Sequence, residues 1–176
     1  MLARALLACT LVSLPLAAAA QSPYVGETSR AIKSLSSGDV ADYLAGNGMG
    51  LAKAAELNGY PGPAHVLALA DPLALTDPQR ADTQAVFARM QAEARSLGER
   101  LVAEERALDR AFADHTVTPD ALATATASIA ALQGRLRDVH LRAHLEQVRI
   151  LTPGQVARYA SLRGYTDAQP THQHVH

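Results

Sequence analysis

The sequence predicts an all-α fold: a long antiparallel helical hairpin with short flanking helices, paired into a dimer. Two stretches of the chain repeat apolar residues every three or four positions, which is the period of an amphipathic helix. The same five-residue word, Leu-Thr-x-x-Gln, occurs at residues 75–79, before the first stretch, and at residues 151–155, after the second. No stretch shows the alternation of apolar and polar residues that is typical of a strand.

Each copy of the word has the composition of a helix start. Thr76 and Thr152 are N-cap residues, whose hydroxyl accepts a hydrogen bond from a backbone N–H in the first turn. Gln79 and Gln155 follow three residues later and can bond back to the cap, which completes a capping box. The predicted structural capping motif therefore consists of Leu75, Thr76, Gln79, Leu151, Thr152 and Gln155.

The two apolar repeats predict the two long helices of the hairpin. The first repeat predicts a helix over about residues 77–113, with Glu104 as its polar interruption. The second repeat covers residues 122–150 and is interrupted by Glu146. Because only a short connection at 114–118 joins two such long helices, we expect them to be antiparallel neighbours.

Glycine and proline residues divide the remainder of the chain. Gly98 and Gly134 lie inside the long helices, where glycine is unfavourable, so they indicate bends or close contacts. We expect three regions: a mobile N-terminal segment with short helices (21–63), the hairpin domain (64–164) and a disordered tail that contains histidines (165–176). In the first region and beside the hairpin we expect short helices at 29–35, 40–44, 51–57, 64–70 and 156–162.

The first 20 residues have the composition of a secretory signal peptide. Arg4 precedes an apolar core, and three alanines at 18–20 form a small-residue cleavage site. A retained N-terminal anchor and a lipid on Cys9 are the alternatives. Cleavage would remove the single cysteine, so a mature exported chain could form no disulfide. We expect a periplasmic protein without stable membrane insertion.

Composition and motifs also bear on the class of function. The formal net charge of −1 lacks the basic excess that nucleic-acid binding requires. The sequence shows no HExxH motif, no phosphate-binding glycine loop and no nucleophile signature. We therefore expect neither an enzyme nor a nucleic-acid-binding protein, and no required cofactor.

The chain resembles the Spy/CpxP family of periplasmic proteins, which includes related heavy-metal resistance and sensor proteins. The resemblance rests on the two Leu-Thr-x-x-Gln words and their positions, and it covers roughly residues 65–163. It implies a curved helical-hairpin homodimer. Members act as ATP-independent chaperones, as inhibitors of envelope-stress signalling or as metal-binding sensors. The Gly/Pro-rich segment at 46–63 is outside what the motif explains.

Two groups of histidines are candidate metal ligands. His140 and His144 are four residues apart and so lie on one face of a helix, where they could share a metal ion. The alternative is a pair of partly exposed histidines on a polar flank. The second group lies in the tail, where neutral imidazoles suit Zn, Cu or Ni. It consists of His172, His174 and His176.

Two functions are compatible with these observations, besides a purely structural role. The first is a chaperone-like or envelope-stress protein that binds unfolded proteins or a signalling partner. The second is a heavy-metal-binding sensor or resistance protein. The sequence favours the chaperone-like function slightly, because of the apolar surface that a thin hairpin exposes.

Overall fold

A computed structural model describes residues 22–166 and is helical over most of that range. One 3₁₀ turn (Glu27–Ser29) precedes the α-helices. No named strand occurs between residues 22 and 166, where the one bridge joins Ile32 to Leu35. The all-α prediction is therefore confirmed for the described residues. The helices are α1 (Ser37–Ala45), α2 (Lys53–Glu56), α3 (Pro63–Ala68), α4 (Asp77–Ala113), α5 (Pro119–Ile150) and α6 (Pro153–Leu162).

Helices α4 and α5 form the predicted hairpin. Thr118 caps the start of α5 by accepting a hydrogen bond from the backbone N–H of Ala121 at 3.3 Å. At the end of α4, His115 adopts a φ of 54°, the left-handed conformation that ends many helices. The α4–α5 seam is filled by residues of both apolar repeats. These buried residues are Ala94, Leu97, Leu101, Ile129, Leu132, Leu136 and Val139.

Helix α1 crosses α4 at Gly98. A methyl carbon placed on Gly98 would overlap the carbonyl oxygen of Tyr43 and lie 2.7 Å from its carbonyl carbon. Only glycine permits so close an approach of two helix backbones. The close contact predicted at Gly98 is therefore present, whereas a methyl carbon on Gly134 would meet nothing within 4 Å.

The segment before the hairpin contains short helices, but the first lies elsewhere than expected. The helix expected at 29–35 is absent, and residues 36–39, which we interpreted as a break, start α1. Ser36 accepts a hydrogen bond from the backbone N–H of Asp39, and Asp39 accepts one in return, so the two form a capping box.

Residues 22–63, which we expected to be mobile, are placed against the hairpin. The backbone N–H of Lys33 donates to Asp109 at 3.0 Å, and the Ser34 hydroxyl donates to Glu105 at 2.8 Å. Farther along, Arg95 donates to the carbonyl oxygen of Ala45 at 3.1 Å. The segment thus contacts α4 at two separate places.

A second core lies at the end of the hairpin that is remote from the connecting turn. It joins α3 and the following turn to the start of α6, which explains the short helix predicted at 64–70. Its buried residues are Val66, Ala70, Leu73, Leu75, Leu151 and Tyr159.

The opposite end, the hairpin tip, is thin. From residue 103 to residue 128 no residue is buried, and the side chain of Phe112 is 51% exposed. Within residues 22–166, no helix combines the length and the apolar character needed to cross a membrane. The predicted signal peptide and the tail histidines His172, His174 and His176 lie outside the described residues.

Candidate functional site

The two Leu-Thr-x-x-Gln words both form capping boxes. Thr76 accepts from the backbone N–H of Gln79 at 3.3 Å, and Gln79 accepts from the N–H of Thr76 at 3.1 Å. Thr152 and Gln155 repeat this arrangement at 3.2 and 2.9 Å. The words therefore start α4 and α6.

The structure also brings the two words together, which the sequence analysis did not foresee. The Gln79 amide donates to the amide oxygen of Gln155 at 2.8 Å, and Gln155 donates back at 3.0 Å. The same two amide groups donate to the carbonyl oxygens of Ile150 and Leu73. We call this reciprocal pair the glutamine clasp. Since its amides are already engaged within the protein, the clasp is architectural.

A cleft with a volume of about 550 Å³ lies between the N-terminal segment and the hairpin. One wall comes from the loop at 46–50, α2 and the start of α3, and the other from α4 and α5. Both walls contribute side chains that could bind a ligand. These include Met49, Glu56, Met90, His140, His144 and Tyr165.

His144 is held in one tautomer at the edge of this cleft. It is 8% exposed, and its Nδ1 atom lies 2.7 Å from the carbonyl oxygen of Tyr60. Because a carbonyl oxygen can only accept, Nδ1 carries the proton and Nε2 of the neutral ring keeps its lone pair. The same arrangement, a ring N–H donated to a carbonyl, orients histidines that bind metal ions.

His140 lies one turn before His144 and is 3% exposed. Its Nε2 atom is buried without a hydrogen-bond partner among residues 22–166, and its Nδ1 atom would lie 3.9 Å from a methyl carbon placed on Gly48. Burial, and then the neighbouring His144, lower the pKa of His140, so the ring is neutral at pH 7. The alternative of partly exposed histidines is therefore wrong, because residues 46–62 cover this flank of α5.

Glu56 at the end of α2 organises the floor of the cleft. Its carboxylate accepts hydrogen bonds from the Tyr159 hydroxyl, from Tyr165 at 2.9 Å and from the backbone N–H of Gly62 at 3.1 Å. Burial raises the pKa of Tyr159, which therefore remains a donor. His65 and Arg163 each approach the carboxylate to 3.5 Å.

The opposing influences on Glu56 leave it ionised. Burial raises the pKa of Glu56, but the hydrogen bonds from Tyr159 and Tyr165, together with the neighbouring His65 and His144, lower this pKa by more, so it lies below 4.5. Glu56 could not be identified from the sequence, because its partners come from α3, α5 and α6. We call Glu56 with its two tyrosines and Arg163 the Glu56 cluster.

Two methionines complete the cleft. The protein has three methionines, and the two that follow the initiator, Met49 and Met90, both line this cleft. Met49 lies between Gly48 and Gly50 and has a φ of 45°. A non-glycine residue in this left-handed region is strained, and such strain often accompanies functional sites. The glycine pattern at 46–50 was the signal in the sequence that could have indicated this loop.

Of the predicted metal ligands, one group lies within the described residues and the other does not. His140 and His144 lie together in the cleft, whereas His172, His174 and His176 lie outside the described residues. Within residues 22–166, no group of three or more His, Cys, Asp or Glu side chains is arranged to hold a metal ion. A site built on the pair would therefore need a donor of another type.

The fold and the cleft define a helical-hairpin protein that presents a buried pair of imidazoles. Comparisons with protein-family models, with curated proteins and with solved structures give no match to this chain.

Proposed function

We propose that this chain is an exported, non-enzymatic protein that binds a transition-metal ion through His140 and His144. The observation that carries the proposal is the burial of both imidazoles on one cleft, with the proton of His144 fixed on Nδ1 by Tyr60. Export is supported by the leader-like composition of residues 1–20. A role in heavy-metal sensing or resistance is what the resemblance to the Spy/CpxP family implies.

The physical reason for this proposal is that little free energy is needed to prepare these histidines as metal ligands. Metal ions bind the neutral form of imidazole, and burial already keeps His140 neutral at pH 7. Its buried Nε2 atom finds no partner among the described residues, which is an unfavourable state for a polar atom. A small rearrangement of the ring on metal binding would relieve that state and bring a ring nitrogen to the ion.

Titration of the protein with Zn, Cu and Ni tests this function. We expect His140→Ala and His144→Ala each to weaken binding at the cleft by about 100-fold, because each removes a direct ligand. His115→Ala is the matched control, since it removes an imidazole at the remote hairpin tip. Deletion of residues 171–176 would remove the additional binding of the tail. If that deletion alone abolished all binding, the cleft would not be the metal site.

A second candidate function is the chaperone-like activity, with unfolded proteins or an envelope signalling protein as partners. It is favoured by the hairpin tip, where residues 103–128 include no buried residue and the apolar seam between α4 and α5 is only half covered. The N-terminal segment reaches this region at Glu105 and Asp109, on the side away from the connecting turn. A second copy of the chain in a homodimer, or an unfolded client, could cover this seam.

We expect Phe112→Glu to reduce any suppression of aggregation that the protein exerts without ATP, as measured by light scattering with an unfolded model protein. The physical reason is the loss of apolar contact area at the tip. Leu145→Glu is the control, because Leu145 is 48% exposed but lies far from the tip on α5. Sedimentation measures the oligomeric state in parallel. A monomer without effect on aggregation would exclude this second function.

A further inference from the structure

We infer that the cleft selects a soft monovalent ion, Cu(I) or Ag(I), through the thioether sulfurs of Met49 and Met90 together with the imidazoles of His140 and His144. This inference rests on the proposed metal-binding function and specifies the class of ion. It starts from the coincidence that both methionines after residue 1 line the cleft that holds the histidine pair.

The carboxylate nearest to the pair is already occupied. Glu56 accepts hydrogen bonds from Tyr159, Tyr165 and the backbone of Gly62. Both tyrosines donate to Oε1 and Gly62 donates to Oε2, so a metal ion that took Glu56 as a ligand would share each oxygen with a donor that is already bound to it. Glu56 is therefore a weaker anionic ligand for harder ions such as Zn(II) and Ni(II) than a free carboxylate would be.

The remaining donors of the cleft are soft. Thioethers favour Cu(I) over harder divalent ions, and imidazole is compatible with both. The described residues contain no arrangement of three His, Cys, Asp or Glu side chains that could hold an ion, so completion of the site requires another donor type. Sulfur atoms of Met49 and Met90 are the candidates within the same cleft.

Charge leads to the same conclusion. Two imidazoles and two thioethers supply no negative charge, and the Glu56 carboxylate, 3.7 Å from Nδ1 of His144, supplies one, which compensates a monovalent ion but only half of the charge of a divalent one. The cost of burying an uncompensated charge is large and rises with the square of the charge in a continuum description. A monovalent ion is therefore much less costly to bury among these ligands than a divalent one.

The conformation of Met49 also supports a role for this residue in binding an ion. The residue is exposed and strained, with a φ of 45°, in a loop where Gly48 and Gly50 flank it. Glycine or asparagine would fit this backbone better, so the structure offers no conformational reason for methionine. A methyl carbon placed on Gly48 would lie 3.9 Å from Nδ1 of His140, so the residue before Met49 in the chain lies near the histidine pair.

The test uses the full chain with methionine methyl groups labelled for NMR, and Ag(I) as a soft probe that needs no reductant. We expect Ag(I) to shift the methyl resonances of Met49 and Met90. Met49→Leu and Met90→Leu, which nearly conserve volume, should each weaken Ag(I) binding by at least about tenfold. Binding of Zn(II) and Ni(II) should be unchanged. Thermal melts of each variant monitor folding.

The outcomes separate this inference from the function on which it rests. If His140→Ala weakens metal binding but Ag(I) shifts neither methyl resonance, the soft-ion inference is overturned and metal binding at the histidine pair stands. Equal losses of Ag(I) and Zn(II) affinity in the methionine variants would also overturn it, since the methionines would then act through packing. If no ion responds to His140→Ala, both proposals fail.

Discussion

Gly98→Ala is expected to lower the free energy of unfolding by about 3 kcal/mol, the upper range for inserting a carbon atom into a packed contact. The new methyl group would overlap the carbonyl oxygen of Tyr43, which belongs to the backbone and cannot turn away as a side chain could. Helix α1 would have to move off α4, and the packing of Tyr43 on the hairpin core would be lost. Urea denaturation of the protein and the variant measures this change.

Gly134→Ala is the matched control. Gly134 also lies inside a long helix, but it is exposed and a methyl group there would meet nothing within 4 Å. Alanine is favoured over glycine in a helix by about 1 kcal/mol, so this variant should be more stable than the parent protein. Changes of the same sign in the two variants would contradict the close crossing of α1 and α4.

Glu56→Ala is expected to cost a similar amount, about 3 kcal/mol, because it leaves several buried donors without their acceptor. The Tyr159 hydroxyl and the backbone N–H of Gly62 both lose their partner. The change would also separate α2 from α6, since Glu56 is a direct hydrogen-bonded link between them. Thermal or urea unfolding at neutral pH tests this expectation.

The same residue gives a pH dependence of defined sign. Since the pKa of Glu56 is lower in the folded protein than the ordinary 4.5, its ionised form stabilises the fold at higher pH. That contribution is lost as the pH falls below 4.5 and through the folded-state pKa. The stability difference between the protein and Glu56→Gln should therefore shrink in this acid range. Urea unfolding of both proteins across this pH range measures the difference.

Local signals in the sequence were sufficient to predict the hairpin. The limits of α4 follow from the Thr76 capping box at one end and the end of the apolar repeat at the other, and both signals lie within the helix or beside it. The close contact at Gly98 was predictable for the same reason: glycine is costly inside a helix unless something needs the space. The partner of that contact, Tyr43, was not predictable.

The candidate site required the structure because its contacts join distant parts of the chain. Glu56 bonds to Tyr159 and Tyr165, which are 103 and 109 residues away, and no periodicity records such a pairing. The spacing of the two histidines predicted that they share one helix face. Their burial could not be predicted, because the residues that cover them come from a Gly/Pro-rich segment with little helical pattern.

The glutamine clasp has a consequence for the order in which the chain folds. Gln79 and Gln155 are 76 residues apart, whereas α4 and α5 are joined by a short turn. The hairpin can therefore form by successive local contacts from its tip, while the clasp closes a long loop and gains its hydrogen bonds only afterwards. Interactions that form after the transition state slow unfolding rather than speed folding. We therefore expect the glutamine clasp to lengthen the lifetime of the native state, with little effect on the rate at which that state forms.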